Sequence, residues 1–244
     1  MPKSAATHRK TFIAAVVPHA GLMYSGAVAG ALYETALIPP RLIILCPNHT
    51  GVGQPAAINL EGSWATPLGE LEIDAALARD LAVAIPSLVD DHLAHAREHS
   101  LEVQLPFLQL LSPATAFVPI CLSLPRYEDC RDLGEAIAAV LAKDPQGEIG
   151  ILASSDLNHY ENQQTTMHKD GLAIDRILDL DHQGLWNTVR KEGISMCGIV
   201  PTTVMLVAAK RLGATRAELV RHATSGDVNG DYNAVVGYAS ILIS

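Results

Sequence analysis

Two histidines stand in the same local setting, and that setting suits metal chemistry. His19 follows the apolar run Phe12–Val17 and Pro18, and His49 follows the run Arg41–Cys46 and Pro47. In each case proline stops a buried strand, and a glycine just beyond (Gly21, Gly51) lets the backbone turn. Each imidazole then lies past the carboxyl end of a strand, where open α/β sheets place their ligands. Neutral imidazole is the commonest metal ligand among side chains. A lone loop histidine can equally do no more than satisfy its turn, but two delivered by adjacent parallel strands look like a pair of metal ligands.

Three further segments carry chemistry. Asp90–His99 packs three carboxylates (Asp90, Asp91, Glu98) and three histidines (His92, His95, His99) ahead of the apolar helical stretch Leu101–Leu111. That stretch has Glu102 and Gln104 embedded in it, and polar groups entering a buried element must be paired or have work to do. His99 is the site candidate here, while His92 and His95 fit a solvated loop as well as a site. Ser154–Tyr160 crowds two serines, Asp156, Asn158 and His159 at the end of the run Glu148–Ala153, and so brings acid, base and donors to the same edge. Cys197 precedes the apolar helix Ile199–Leu212. Near a helix N-terminus a thiol is expected to have a lowered pKa and to favour the thiolate, the form that ligates metals or attacks electrophiles. Cys46, Cys121 and Cys130 show no CxxC or disulfide spacing, and Cys121 reads as packing within an apolar strand.

The elements that must position these groups alternate along the chain. After the first strand, Ser25–Ala36 reads as a helix, and the strand–helix–strand unit predicts parallel pairing with a right-handed crossover. Gln54–Ile73 reads as a β-hairpin excursion, with Trp64 and Leu68 as packing residues. Asp74 is the expected N-cap of a helix over Ala75–Ile85. Ala116–Leu122 is a further strand and Tyr127–Ala142 an amphipathic helix. Gln164–Leu178 and Gln183–Glu192 read as helices that carry His168 and His182 on the surface. Two final strands, Glu218–Ala223 and Ala234–Ile243, flank the loop Thr224–Asp231, which fits a plain connection or a flap over a pocket. No linker divides the chain, so the expectation is one α/β domain over residues 1–244, with a central mixed, largely parallel sheet flanked by helices.

Composition narrows the partners. With 17 basic against 26 acidic residues the net charge is −9, and only 5% of residues are aromatic, so nucleic acid and anionic membrane are not expected partners. Free cysteines point to a reducing compartment. The basic start Met1–Lys10 precedes an apolar run too short for a signal-peptide core or a membrane span, so the expected location is the cytoplasm. No GxGxxG, P-loop, GxSxG or HExxH motif occurs.

Taken together, Pro18–Gly26, Pro47–Gly51, Trp64–Gly69, Glu98–Gln109, Ser154–Tyr160, Cys197-Gly198, Thr224–Asp231 and Val236–Ser240 resemble the Memo family. Its bacterial and archaeal members occur as protein B of the AmmeMemoRadiSam system. The resemblance covers nearly the whole chain. It implies a fold like that of class III extradiol dioxygenases and a metal site built from His19, His49 and Cys197, with Asp156 and His159 close by. Where those dioxygenases use two histidines and a carboxylate on Fe(II), the third position here is Cys197. That substitution argues against catechol cleavage and admits copper or zinc beside iron, the first choice. His159 is then the expected general base, oriented by Asp156, and His99 a residue beside the substrate. The implied function is a metal-dependent redox or O2-using reaction on a small substrate or peptide in the metal pocket, with a functional link to a radical SAM protein and an AMMECR-like protein. The alternatives are a non-catalytic metal-handling or partner-binding protein and a metallohydrolase. Animal members of the family are described as adaptors that bind phosphopeptides, but the negative charge and the lack of an arginine cluster argue against that here.

Overall fold

The computed structural model describes residues 9–144 and 148–244; most of the basic start lies outside them. The elements are, in chain order, β1 (Ala14–Val17), α1 (Leu22–Thr35), β2 (Arg41–Pro47), β3 (Ala56–Ile58), β4 (Ser63–Thr66), β5 (Gly69–Glu72), α2 (Ala75–Ala84), β6 (Val89–Asp90), α3 (His99–Glu102) and α4 (Leu105–Leu111). They continue with β7 (Ala116–Leu122), α5 (Tyr127–Leu141), β8 (Ile149–Ser154), β9 (His159–Glu161), α6 (Gln163–Leu178), α7 (His182–Lys191), α8 (Ile199–Arg211), β10 (Ala217–Thr224), α9 (Gly226–Asn229) and β11 (Val235–Ile243).

The main sheet runs β10-β11-β1-β8-β2-β7-β3-β6, with β9 pairing on β11. Its centre, β1-β8-β2-β7, is parallel. Antiparallel pairs close it at β11–β1 and β7–β3. The expected α/β architecture with a mixed, largely parallel sheet is therefore the observed one. In one detail the order differs from expectation. β1 and β2 are not neighbours, because β8 lies between them and is parallel to both. A strand arriving much later in the chain fills that place, and local hydrophobic pattern carries no record of it. All three strands still end at the same edge.

Successive residues of β1, β2, β7 and β8 are buried without alternation, so both faces of the parallel centre are covered. α8 packs across β8, β2 and β1, with α5 and α7 against it in turn; α1 packs over β10 and β11, with α4 beside it. Asp74 caps α2 as expected, its Oδ1 accepting from Leu77 N at 3.0 Å. The stretch 101–111 is not one helix: α3 and α4 are separated at Val103 and Gln104, and Pro106 lies in the first turn of α4. The 54–73 excursion is also divided, since β3 joins the main sheet and β4–β5 form the hairpin. Among the described residues no helix is long and apolar enough to cross a membrane.

Candidate functional site

At the carboxyl edge of the parallel strands an open cleft of about 560 Å³ is lined by His19, His49, His99, Asp156, His159 and Cys197, with Ser195 and Tyr160 at its side. All six residues singled out in the sequence meet there. The ends of two strands flanking β8 supply His19 and His49, the loop after β8 supplies Asp156, the start of β9 supplies His159, and the turn before α8 supplies Cys197. A cavity of the same volume lies at the amino ends of β2 and β8, lined by Arg41, Arg79, Asp80 and Lys143 among others. No histidine or cysteine lines it, and its groups are those of an ordinary charged surface.

His19 is buried, and its surroundings fix its tautomer. The Ser154 hydroxyl has one proton, which it donates to the Ser100 carbonyl at 2.6 Å. The same oxygen therefore accepts from Gln104 Nε2 at 3.0 Å and from His19 Nδ1 at 2.9 Å. With Nδ1 carrying the proton, Nε2 presents a lone pair, and it faces Cys197 Sγ at 3.3 Å. Burial first, then the neighbouring His49 and His99, holds the ring neutral by lowering its pKa to about 3.

His49 has its Nδ1 committed by a different partner. Its Nδ1 donates to Glu98 Oε1 at 2.9 Å and its main-chain N–H to Glu98 Oε2 at 2.6 Å. Burial alone would raise the Glu98 carboxyl, but hydrogen bonds from His49 and from the Ser100 hydroxyl and N–H outweigh it and hold the pKa at about 2. That carboxylate in turn raises the pKa of His49. A carboxylate behind a histidine is the arrangement that orients metal-bound imidazoles. One ligand atom from each of His19, His49 and Cys197 lies within 4.8 Å of the other two. Two imidazole nitrogens and a sulfur at that spacing fit a single soft or borderline metal ion.

Cys197 departs from the sequence expectation. Burial, and then the Asp156 carboxylate, push its thiol pKa up rather than down. α8 does begin there, but desolvation of the charged form outweighs the helix end. Sγ lies 3.3 Å from His19 Nε2 and 3.7 Å from the Asp156 carbonyl oxygen. Gly198 makes this placement possible. A Cβ at that position would overlap the Ser155 side chain and lie 2.7 Å from the Ser154 carbonyl oxygen.

Asp156 is buried and its pKa is raised by that burial. Its Oδ1 accepts from the N–H of His19 at 2.8 Å and of Ala20 at 3.3 Å, so it fixes the turn that carries His19. It does not orient His159 by a hydrogen bond, as the sequence reading supposed. His159 Nδ1 donates to the Ser195 carbonyl at 2.9 Å, and its main-chain N–H to Ser195 Oγ at 2.7 Å. Asn158 Oδ1 accepts from the N–H and the hydroxyl of Ser195, each at 3.2 Å, and Asn158 N donates to the buried Asp170 at 2.9 Å. The main-chain carbonyl of Ser195 thus does the work assigned to Asp156, leaving His159 Nε2 free. Beside it Tyr160 is exposed and has a left-handed backbone, φ 61°, uncommon for a bulky residue.

His99 stacks on His49 with centroids 5.0 Å apart and stands edge-on to His19 at 5.6 Å. His92 and His95 do not line the cleft: His92 is exposed, and His95 is buried against Trp64 at 5.8 Å. His168 is exposed as expected, but His182 is half-buried and bonds Tyr127 Oη at 2.9 Å. Glu102 faces solvent, whereas buried Gln104 ties Pro18 O, Tyr33 Oη and Ser154 Oγ together. Glu98 and Ser154 were visible in the sequence only as polar residues near histidines and Ser195 only as one near Cys197, and nothing there indicated which imidazole each would hold. α1 and α8 both begin at this cleft with glycine N-caps, no side-chain cap and no acid in the first turn. Their ends bias the cleft toward anionic ligands.

Comparison with known proteins finds matches over most of the chain. A family model described as Memo-like protein matches residues 1–242. A MEMO1 family protein of Methanopyrus kandleri is 44% identical over 231 residues, covering 93% of this chain and 81% of the relative. One from Pyrobaculum aerophilum is 45% identical over 230 residues, covering 93% and 82%. Among solved structures, an uncharacterized protein of Escherichia coli K12 superposes with a TM-score of 0.59 over 94% of this chain and 98% of that one. At 13% identity it shows a shared fold.

Proposed function

The chain belongs to the Memo family, and on that premise we propose that it is a metal-dependent protein using His19, His49 and Cys197 for a redox or O2-using reaction on a small substrate. One observation supports this most directly: both imidazoles have their Nδ1 protons committed to acceptors, so both Nε2 lone pairs are left to the cleft beside a thiol. The donor set suits iron, the first choice for oxygen chemistry, and also copper(I) or zinc. A bound metal would supply Lewis-acid or electron-transfer chemistry at this point.

The protein's own groups have separable tasks. Ser154 and Glu98 keep the two rings in the ligating tautomer. Asp156 holds the turn of His19, and its charge balances that of a cation. His159, steadied by Ser195, presents Nε2 as the proton acceptor for a substrate hydroxyl or amine in the cleft. His99, the most exposed ring of the set, contacts the substrate at the entrance. The soft thiolate also favours a second reading, storage or transfer of copper(I) without catalysis.

The test is metal content by mass spectrometry on untagged protein purified anaerobically, with oxygen uptake measured in parallel across a panel of small phenols, thiols and amines. One equivalent of metal is expected in the parent and none in His19→Ala or Cys197→Ala. His159→Ala is expected to keep the metal and lose the oxygen uptake. A parent protein that neither contains nor takes up metal would overturn the reading. Metal without oxygen uptake in any condition would favour metal handling.

A further inference from the structure

The loops that carry His49 and His99 enclose a second pocket that uses neither ring. Thr50 and Val52 form one wall and Leu93, Ala96 and Arg97 the other, around a volume of about 310 Å³. The walls are tied together. Asp91 accepts from Gln54 N at 2.7 Å and from Leu93 N at 3.0 Å. Gly53, at φ 87°, approaches Asp91 and Ala94 so closely that a Cβ would clash with both. The pocket is therefore preformed, as small-molecule sites generally are.

Its lining is mostly apolar and uncovered: Val52 and Leu93 are 50% and 59% exposed. At its edge stands an unneutralised cation. Among the described residues, every arginine apart from Arg9 and Arg97 is held by an acid, a main-chain carbonyl or the face of Trp186. Asp91 is engaged by the loop amides and Glu98 by His49 and Ser100, while Glu102 faces solvent. In a chain of net charge −9, a free guanidinium beside an uncovered apolar wall is complementary to a ligand with one negative end and an apolar body.

We propose that this pocket binds a small carboxylate with an apolar body, which covers Val52, Leu93 and Ala96 while Arg97 takes the carboxylate through its forked N–H groups. The guanidinium fork matches a carboxylate in geometry, and a single cation balances a single negative charge. The site is independent of the metal reading, since it uses none of the metal-facing groups.

The experiment titrates the full-length protein with octanoate, octanamide and acetate and follows main-chain amides by NMR. Octanoate is expected to bind saturably and to shift the amides of residues 50–52 and 93–97. Octanamide, without the charge, and acetate, without the body, are expected to bind at least about tenfold more weakly. Arg97→Ala should weaken octanoate by about tenfold and leave octanamide unchanged, with Arg97→Lys intermediate. Leu93→Asp should abolish octanoate binding. Both substituted side chains are exposed, so the fold is retained. Lack of saturable binding, equal affinity for octanoate and octanamide, or an Arg97→Ala protein that binds like the parent would overturn the proposal. So would shifts confined to His19, His99 and Cys197, which would place the carboxylate at the metal centre.

Discussion

A single hydroxyl decides which nitrogen of His19 faces the cleft. Ser154 gives its proton to the Ser100 carbonyl and so can only accept from Nδ1; the lone pair needed for ligation then falls at Nε2. Removing that acceptor frees the ring to turn and to exchange tautomers. Ser154→Ala is expected to keep the fold and to lose metal affinity by about 10- to 100-fold, read by competition with a chromophoric chelator. Unchanged affinity would mean that His19 needs no such support. At Cys197 the same scale shows two effects in opposition. Burial raises the thiol pKa and the start of a helix lowers it, and burial wins.

At the scale of elements, the site depends on how closely α8 approaches the end of β8. Gly198 lets the turn before the helix lie against Ser154 and Ser155, and Gly198 N donates to Ser155 Oγ at 3.1 Å. Gly198→Ala forces that contact apart. The expected result is a loss of stability of about 1–3 kcal/mol, as for other overpacked sites, and loss of Cys197 as a ligand. Urea unfolding read beside metal stoichiometry would check both, and a variant that keeps full metal content would show that the turn has slack. The placement of α1 follows similar logic, since its glycine N-cap, Gly21, lies two residues after His19.

The molecule as a whole should lose stability in acid in two stages. Burial lowers the pKa of His95 from 6.5 to about 4. Between those values the unfolded chain takes up a proton that the folded chain refuses, so stability falls as pH falls. His19 acts in the same direction over a wider range. Glu98 acts later: its pKa is lowered from 4.5 to about 2, so its contribution is complete above pH 4.5 and is lost on the way down to 2. His95→Phe keeps a ring against Trp64 without the ionisable group. It is expected to shrink the stability difference between pH 7 and 4.5 by about 2–3 kcal/mol, measured by urea unfolding at the two values. An unchanged difference would assign the acid sensitivity to other groups.

How much of this was legible in the sequence depends on the range of the interaction concerned. Strand ends marked by Pro18 and Pro47, the cap at Asp74 and the runs of buried residues are local, and local pattern was enough to place His19 and His49 at strand ends and Cys197 before a helix. The resemblance to the Memo family added that these residues share one site. Only the tertiary structure decided what holds them there. The insertion of β8 between β1 and β2 brings Ser154 beneath His19, the loop of residues 92–99 brings Glu98 behind His49, and Ser195 rather than Asp156 faces His159. Each of those contacts joins residues dozens of positions apart. Hydrogen bonds of this kind depend on the packing of whole elements, and no periodicity or spacing in the chain records them.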